Sequence, residues 1–192
     1  MVIFEDYFVN NRTGWPVSGD CSGDCRIQDG KYTIAVSDDY CTAVWVDTKF
    51  DWRGAFEVRA VVENESGDDE SEYGLLWGLR RPEDASHDPQ TDGYAFLVSG
   101  NGSYGIFRHT HEAEAGPPIQ DWTPAKCVRR GNSVNTISVM GIGVQVLFYI
   151  NNDFVTAKPW STRMKCGACV GFRVWGEMRM SAHSLVVIAD VE

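Results

Sequence analysis

The sequence predicts an all-β fold, a two-sheet antiparallel β-sandwich with little helix. Three observations carry that reading. Short runs rich in Val, Ile, Thr, Tyr, Phe and Trp recur along the chain, with apolar and polar residues alternating at a period of two. Turn residues punctuate those runs at short intervals. No stretch sustains a 3.6-residue apolar period with helix caps. At 192 residues, the chain fits one β-sandwich domain, residues 1–192, large enough to bury a real core. There is no internal repeat, long linker or low-complexity tract.

Taken in order, the predicted strands are Val2–Phe8, Cys25–Val36, Thr42–Phe50, Gly54–Glu63, Tyr73–Arg80, Tyr94–Ser99, Ser103–Thr110, Asn135–Met140, Gln145–Ile150, Phe154–Ala157, Ala168–Trp175 and Ser184–Asp190. Gly100-Asn101-Gly102 sits between two of them, and Asn-Gly is a strong hairpin signal. Met140–Gly143 and Asn151-Asn152-Asp153 punctuate two further pairs. Three segments read as exposed loops: the acidic Glu63–Glu72, the Pro- and Asp-rich Arg81–Gly93, and His111–Lys126 with its Gly116-Pro117-Pro118.

Alternation divides each strand into two faces. In Gly54–Glu63, Phe56, Val58, Ala60 and Val62 face one way, and Glu57, Arg59, Val61 and Glu63 the other. In Ala168–Trp175, Val170, Phe172 and Val174 oppose Arg173 and Trp175, with Glu177 just beyond. In Tyr73–Arg80, Tyr73, Leu75, Trp77 and Leu79 oppose Gly74, Leu76, Gly78 and Arg80. The second faces combine charge, small residues and an aromatic ring. If the three strands share a sheet, they build a groove floored by glycines. Its ligand-binding residues are then Glu57, Arg59, Arg80, Arg173, Trp175 and Glu177. An aromatic ring stacks on the apolar face of a sugar, while carboxylates and Arg bond its hydroxyls. The alternative is a solvated face with cross-strand ion pairs.

The motif order resembles the concanavalin A-like lectin/glucanase superfamily, and within it the laminin-G-like and 3-keto-disaccharide hydrolase jelly rolls. The stretches that carry the likeness are Phe4-Glu5-Asp6-Tyr7-Phe8 followed by Trp15, Gln28–Tyr32, Gly54–Arg59, and Tyr73-Gly74-Leu75 running to Arg80. They continue with Gly93–Phe96 and Tyr104, Asn135-Thr136-Ile137, Tyr149–Asn152, Gly167–Phe172 and the terminal Leu185–Asp190. The resemblance implies adjacent first and last strands and a ligand groove on the concave sheet. It also implies a structural calcium at Glu5 or Asp6, the Gly30 carbonyl and Asp190, hard oxygen ligands of the kind calcium takes.

The formal net charge of −10 and the lack of a basic stripe argue against nucleic acid and anionic membranes as partners. No apolar run reaches a transmembrane length, and the first ten residues lack a signal-peptide layout. No cofactor is required by any motif. Six cysteines leave three arrangements open: buried thiols, disulfides, or a four-thiolate zinc site at Cys21, Cys25, Cys166 and Cys169. His109 and His111 share a strand face and could contribute to a metal site. Asn11, Asn64 and Asn101 each begin a glycosylation sequon.

Three functions fit. The first is a carbohydrate-binding module. The second is a glycoside hydrolase acting through groove carboxylates, for which Glu57 and Glu177 are the candidate pair. The third is a non-catalytic protein-interaction domain of a larger assembly. No strand carries the Glu-x-Asp-x-(x)-Glu pattern of this superfamily's paired-carboxylate glycosidases, and Asp69-Glu70-Ser71-Glu72 falls in the acidic loop. That departure moves the reading from hydrolysis toward binding.

Overall fold

Alternating apolar residues assemble into two antiparallel sheets packed face to face. The computed structural model describes residues 1–18, 21–37, 40–50, 52, 54–80, 93–110, 116–159 and 167–190. They form fourteen strands: β1 (Val2–Asp6), β2 (Asp24–Gln28), β3 (Lys31–Val36), β4 (Cys41–Asp47), β5 (Phe56–Ser66), β6 (Glu72–Leu79), β7 (Gly93–Ser99), β8 (Ser103–His109), β9 (Gln120–Pro124), β10 (Val134–Ile142), β11 (Gln145–Ile150), β12 (Asp153–Pro159), β13 (Cys169–Trp175) and β14 (Met178–Ala189). An eight-stranded sheet runs β12-β11-β10-β5-β14-β3-β2, and β1 also pairs with β14. A six-stranded sheet runs β4-β13-β6-β7-β8-β9. The first and last strands are therefore neighbours, with Glu5 opposite Val186.

The core lies between the sheets. From the larger sheet, β5 contributes Phe56, Val58, Ala60 and Val62, each at most 1% exposed. From the smaller, β13 contributes Val170, Phe172 and Val174, all fully buried. Phe8, Trp15, Tyr32 and Phe172 form one aromatic group, and Trp77, Tyr94, Phe96 and Phe148 another. Asp6 anchors the loop after β1. Its carboxylate accepts from the Phe8 amide (2.7 Å), the Trp15 indole (2.9 Å) and the Thr13 hydroxyl. This explains why Asp6-Tyr7-Phe8 is followed by Trp15.

Two hairpins turn on left-handed residues. Asp29 and Gly30 (φ 54° and 72°) join β2 to β3, and Asn151 and Asn152 (φ 52° and 70°) join β11 to β12. Paired positive φ matches a tight primed turn, which follows the strand twist.

Four expectations need correction. The predicted strand Cys25–Val36 is two, β2 and β3, because Asp29 and Gly30 fold the chain back between them. Gln120–Pro124, inside a segment read as loop, is β9 and pairs with β8 across an irregular register. Glu63–Ser66, read as acidic loop, continues β5, because Lys31 and His183 bind the Glu63 carboxylate at 2.8 Å each. Leu79 does not follow Tyr73, Leu75 and Trp77 into the core. Gly78 has φ 64°, and the β6–β13 register shifts beside it, so Leu79 turns to the outer face. The predicted loop Arg81–Gly93 lies mostly outside the described residues.

Candidate ligand face

The topology divides the predicted groove. β6 and β13 are neighbours in the six-stranded sheet, whereas β5 is central in the eight-stranded sheet. Arg173 and Trp175 thus lie on one outer face of the sandwich, and Glu57 and Arg59 on the opposite one. The premise that the three strands share a sheet is overturned. Strand order is set by pairing between distant segments, and the alternation within a strand carries no information about it.

The pair Glu57 and Glu177 is also separated. Glu57 lies opposite Ile188, ten residues along β14 from Met178, which follows Glu177. That span is roughly 30 Å at about 3.3 Å per residue, far beyond the roughly 5–9.5 Å between glycosidase carboxylates. The Glu57 carboxylate is instead bonded by Arg59 Nε and Nη2 at 2.9 Å each and by the Ser138 hydroxyl at 2.7 Å. Glu177 is exposed in the turn between β13 and β14. Arg80 follows β6 at the end remote from Glu72, well apart from Trp175.

The outer face of the six-stranded sheet follows from its register. Trp45, Gly171, Leu76, Ala95 and Phe107 form one cross-strand row. Ala43, Arg173, Gly74, Leu97 and Gly105 form the next. Cys41, Trp175, Glu72 and Ser99 form a third. Leu76, Leu79, Ala95, Leu97 and Cys169 are fully or almost fully buried although they point away from the main core. Ala43, Trp45, Phe107 and Trp122 pack around them. The result is an apolar floor with Trp45 and Trp175 toward one edge of the sheet and Phe107 and Trp122 toward the other. Phe107 and Trp122 stand 5.4 Å apart, ring centre to ring centre.

Glycine at 105 lets the Phe107 ring lie over the sheet, and glycine at 171 lets the β4 backbone approach closely. A Cβ at Gly105 would stand 2.5 Å from the Phe107 ring, and one at Gly171 only 1.9 Å from the Val44 carbonyl oxygen. Polar groups are few. The Arg173 guanidinium donates to the Cys41 sulfur at 3.2 Å. Burial raises the pKa of Glu72, and the positive charge of Arg173 opposes that rise. Trp45, Phe107 and Trp122 were not singled out by sequence reasoning, and Glu72, read as the end of the acidic loop, is the first residue of β6. The alternation Ala43-Trp45-Asp47 offered a signal for the first, whereas Trp122 fell in a segment read as loop.

Of the predicted calcium ligands, Asp190 lies apart from Glu5 and Asp6. Asp190 lies four residues along β14 from Val186, the partner of Glu5, roughly 13 Å at the usual strand rise. Gly30 sits in the β2–β3 turn. Asp6 spends its oxygens on protein donors. Cys21 and Cys25 are joined as a disulfide, which removes two thiolates from the four-thiolate arrangement. Cys166 lies outside the described residues, as does His111, the partner proposed for His109. Among the described residues, no group of three or more His, Cys, Asp and Glu side chains is placed to hold a metal ion.

No protein-family model matches the chain, and no curated protein matches it. Solved structures do match in fold. An endo-β-1,3-glucanase from Pyrococcus furiosus aligns with a TM-score of 0.73 at 8% identity, over 100% of this chain and 95% of that one. The carbohydrate recognition domain of Emp47p aligns at 0.65 and 11% identity, covering 98% and 96%. The carbohydrate-binding module CBM66 from Bacillus subtilis aligns at 0.62 and 14% identity, covering 90% and 94%. At these identities the likeness is one of architecture, and function must be argued from the site. The chain has the concanavalin A-like jelly-roll fold that the order of its motifs implied.

Proposed function

We propose that the protein is a lectin-like module that binds an oligosaccharide across the outer face of the six-stranded sheet. The observation that carries this reading is the set of partly exposed aromatic rings over a buried apolar layer: Trp45 and Trp175 on one side, Phe107 and Trp122 on the other. Sugar rings present C–H faces that stack on such rings and hydroxyls that bond sparse polar groups. Glu72 accepts from hydroxyls and Arg173 donates to them. The three solved structures named above are described as carbohydrate recognition, carbohydrate binding and glucanase proteins, which agrees with this class of ligand.

Among the described residues, a glycoside-processing reading rests on Glu72, whose raised pKa suits a general acid, with Glu177, two residues beyond its cross-strand partner Trp175, as the candidate second carboxylate. Asp47 lies two strands away at the opposite end of this face, roughly 20 Å off by strand spacing and rise, too far to be its partner. A glycan array combined with a reducing-sugar release assay tests both readings. Binding without release is the expected result. Silence across a broad panel of neutral and acidic glycans overturns the carbohydrate reading. Release abolished in Glu72→Gln replaces binding by hydrolysis.

A further inference from the structure

The other half of the predicted groove survives as a separate place on the molecule. On the outer face of the eight-stranded sheet, Arg59, Ser138, Tyr149 and Phe154 form one cross-strand row through β5, β10, β11 and β12. Glu57 lies one outward step along β5 from Arg59. Beside this row is a depression of about 120 Å³ lined by Glu57, Arg59, Thr136, Ser138, Met140, Tyr149 and Asn152. Its polar part is built in advance. The Glu57 carboxylate is 5% exposed and fixed by Arg59 and Ser138, while the Arg59 side chain remains half exposed. Its apolar part is Met140 and Tyr149, and Phe154 stands beside Tyr149 at the edge of the depression, ring centres 5.7 Å apart. Phe154 is 58% exposed, so its ring is open to stacking by a ligand.

We infer that this row is a second saccharide site, on the opposite face of the sandwich from the first. The chemistry selects the ligand. Arg59 and Glu57 neutralise each other, so the depression offers an anion no net charge to bind. What it does offer is guanidinium N–H groups not directed at Glu57, the Thr136 hydroxyl, the Tyr149 phenol and the Asn152 amide. Those groups match a neutral pyranose that stacks on Phe154 and Tyr149 and turns its hydroxyls toward Arg59. The depression holds one sugar residue at its mouth and leaves the rest of the chain in solvent. A module with a site on each sheet engages two glycan strands at once, and avidity then exceeds either single affinity. The inference rests on the proposed function only for its class of ligand.

The test is a site-resolved amide and indole NMR titration of the intact chain with laminaritetraose, cellotetraose and maltotetraose in turn. At least one of these neutral probes shifts the amides of Thr136, Ser138, Tyr149 and Asn152, with a dissociation constant unaffected by salt. Phe154→Ala, at an exposed position, weakens that response about fivefold and leaves the Trp175 indole response unchanged. Tyr149→Ala does the same and guards against a local effect of the first variant. No shift of these amides with any probe, while Trp175 responds, overturns the second site and leaves the first standing. Shifts here with a silent Trp175 uphold the second site and leave the first to the glycan array. Loss of the Trp175 response in Phe154→Ala overturns the independence of the two sites.

Discussion

The two outer faces of the sandwich differ in how they are buried. On the six-stranded sheet, the residues pointing outward are Leu76, Ala95, Leu97 and their aromatic neighbours, so this face acts as a second, smaller core. On the eight-stranded sheet, outward residues of β3, β5 and β14 are charged and paired. Lys31 reaches Glu63 and Glu65 at 2.8 and 3.2 Å, His183 reaches Glu63, and Ser181 reaches Glu65. A sheet face meant only for solvent needs nothing more than the second arrangement. The first places hydrocarbon where a sandwich ordinarily puts polar groups, and that contrast is the ground for the proposed ligand face.

The largest effect is expected from stability. Leu97→Ala on the ligand face costs about 3 kcal/mol, as a core truncation does. Val61→Ala on the opposite outer face costs less than about 1 kcal/mol. Urea denaturation of both variants checks this, and equal small losses would erase the distinction between the faces. Next comes ligand affinity. Trp175→Ala weakens binding at the six-stranded sheet about tenfold or more, with the unfolding midpoint unchanged because the ring is already partly exposed.

Smaller effects separate the faces by pH. Lys31 and His183 lower the pKa of Glu63, the Lys31 hydrogen bond being the larger cause. Its stabilising contribution is therefore present above the ordinary glutamate value and lost as the pH falls through the lowered one. Lys31 itself is raised, chiefly by Glu63, so its contribution is complete below its ordinary value and fades as the pH rises through the raised one. The pair is exposed enough that Glu63→Gln costs under about 1 kcal/mol at neutral pH. Glu72 has the opposite sign. Burial raises it, so the folded state holds its proton longer than the unfolded state does, and stability falls as the pH rises between the two values. Glu72→Gln should stabilise the fold at neutral pH and Glu63→Gln should destabilise it, read from urea midpoints near pH 4 and pH 7. The same sign for both variants would contradict the assignment of burial at Glu72.

Much of the fold was legible because alternation is local. β13 reads Val170, Phe172 and Val174 inward and Arg173 and Trp175 outward from sequence, and so it stands. What sequence could not supply was the neighbour of each strand. Glu57 and Arg59 were correctly placed facing away from the core but assigned to the wrong sheet, since β5 pairs with β10 and β14, far away in the chain. Leu79 was misplaced because a single positive φ at Gly78 shifts the parity of everything after it. Trp122 was missed because β9 is short and joins β8 through an irregular register that leaves little periodicity to read.

The two-face account is tested most directly at the tryptophan indoles, using the glycan that gives the strongest array signal. Titration with that glycan should shift the indole resonance of Trp175, with Trp45 or Trp122 moving on the same isotherm, and Trp175→Ala should lower the affinity at this face about tenfold or more. A bound glycan that leaves the indoles of Trp45, Trp122 and Trp175 unmoved would contradict the assignment of the ligand face.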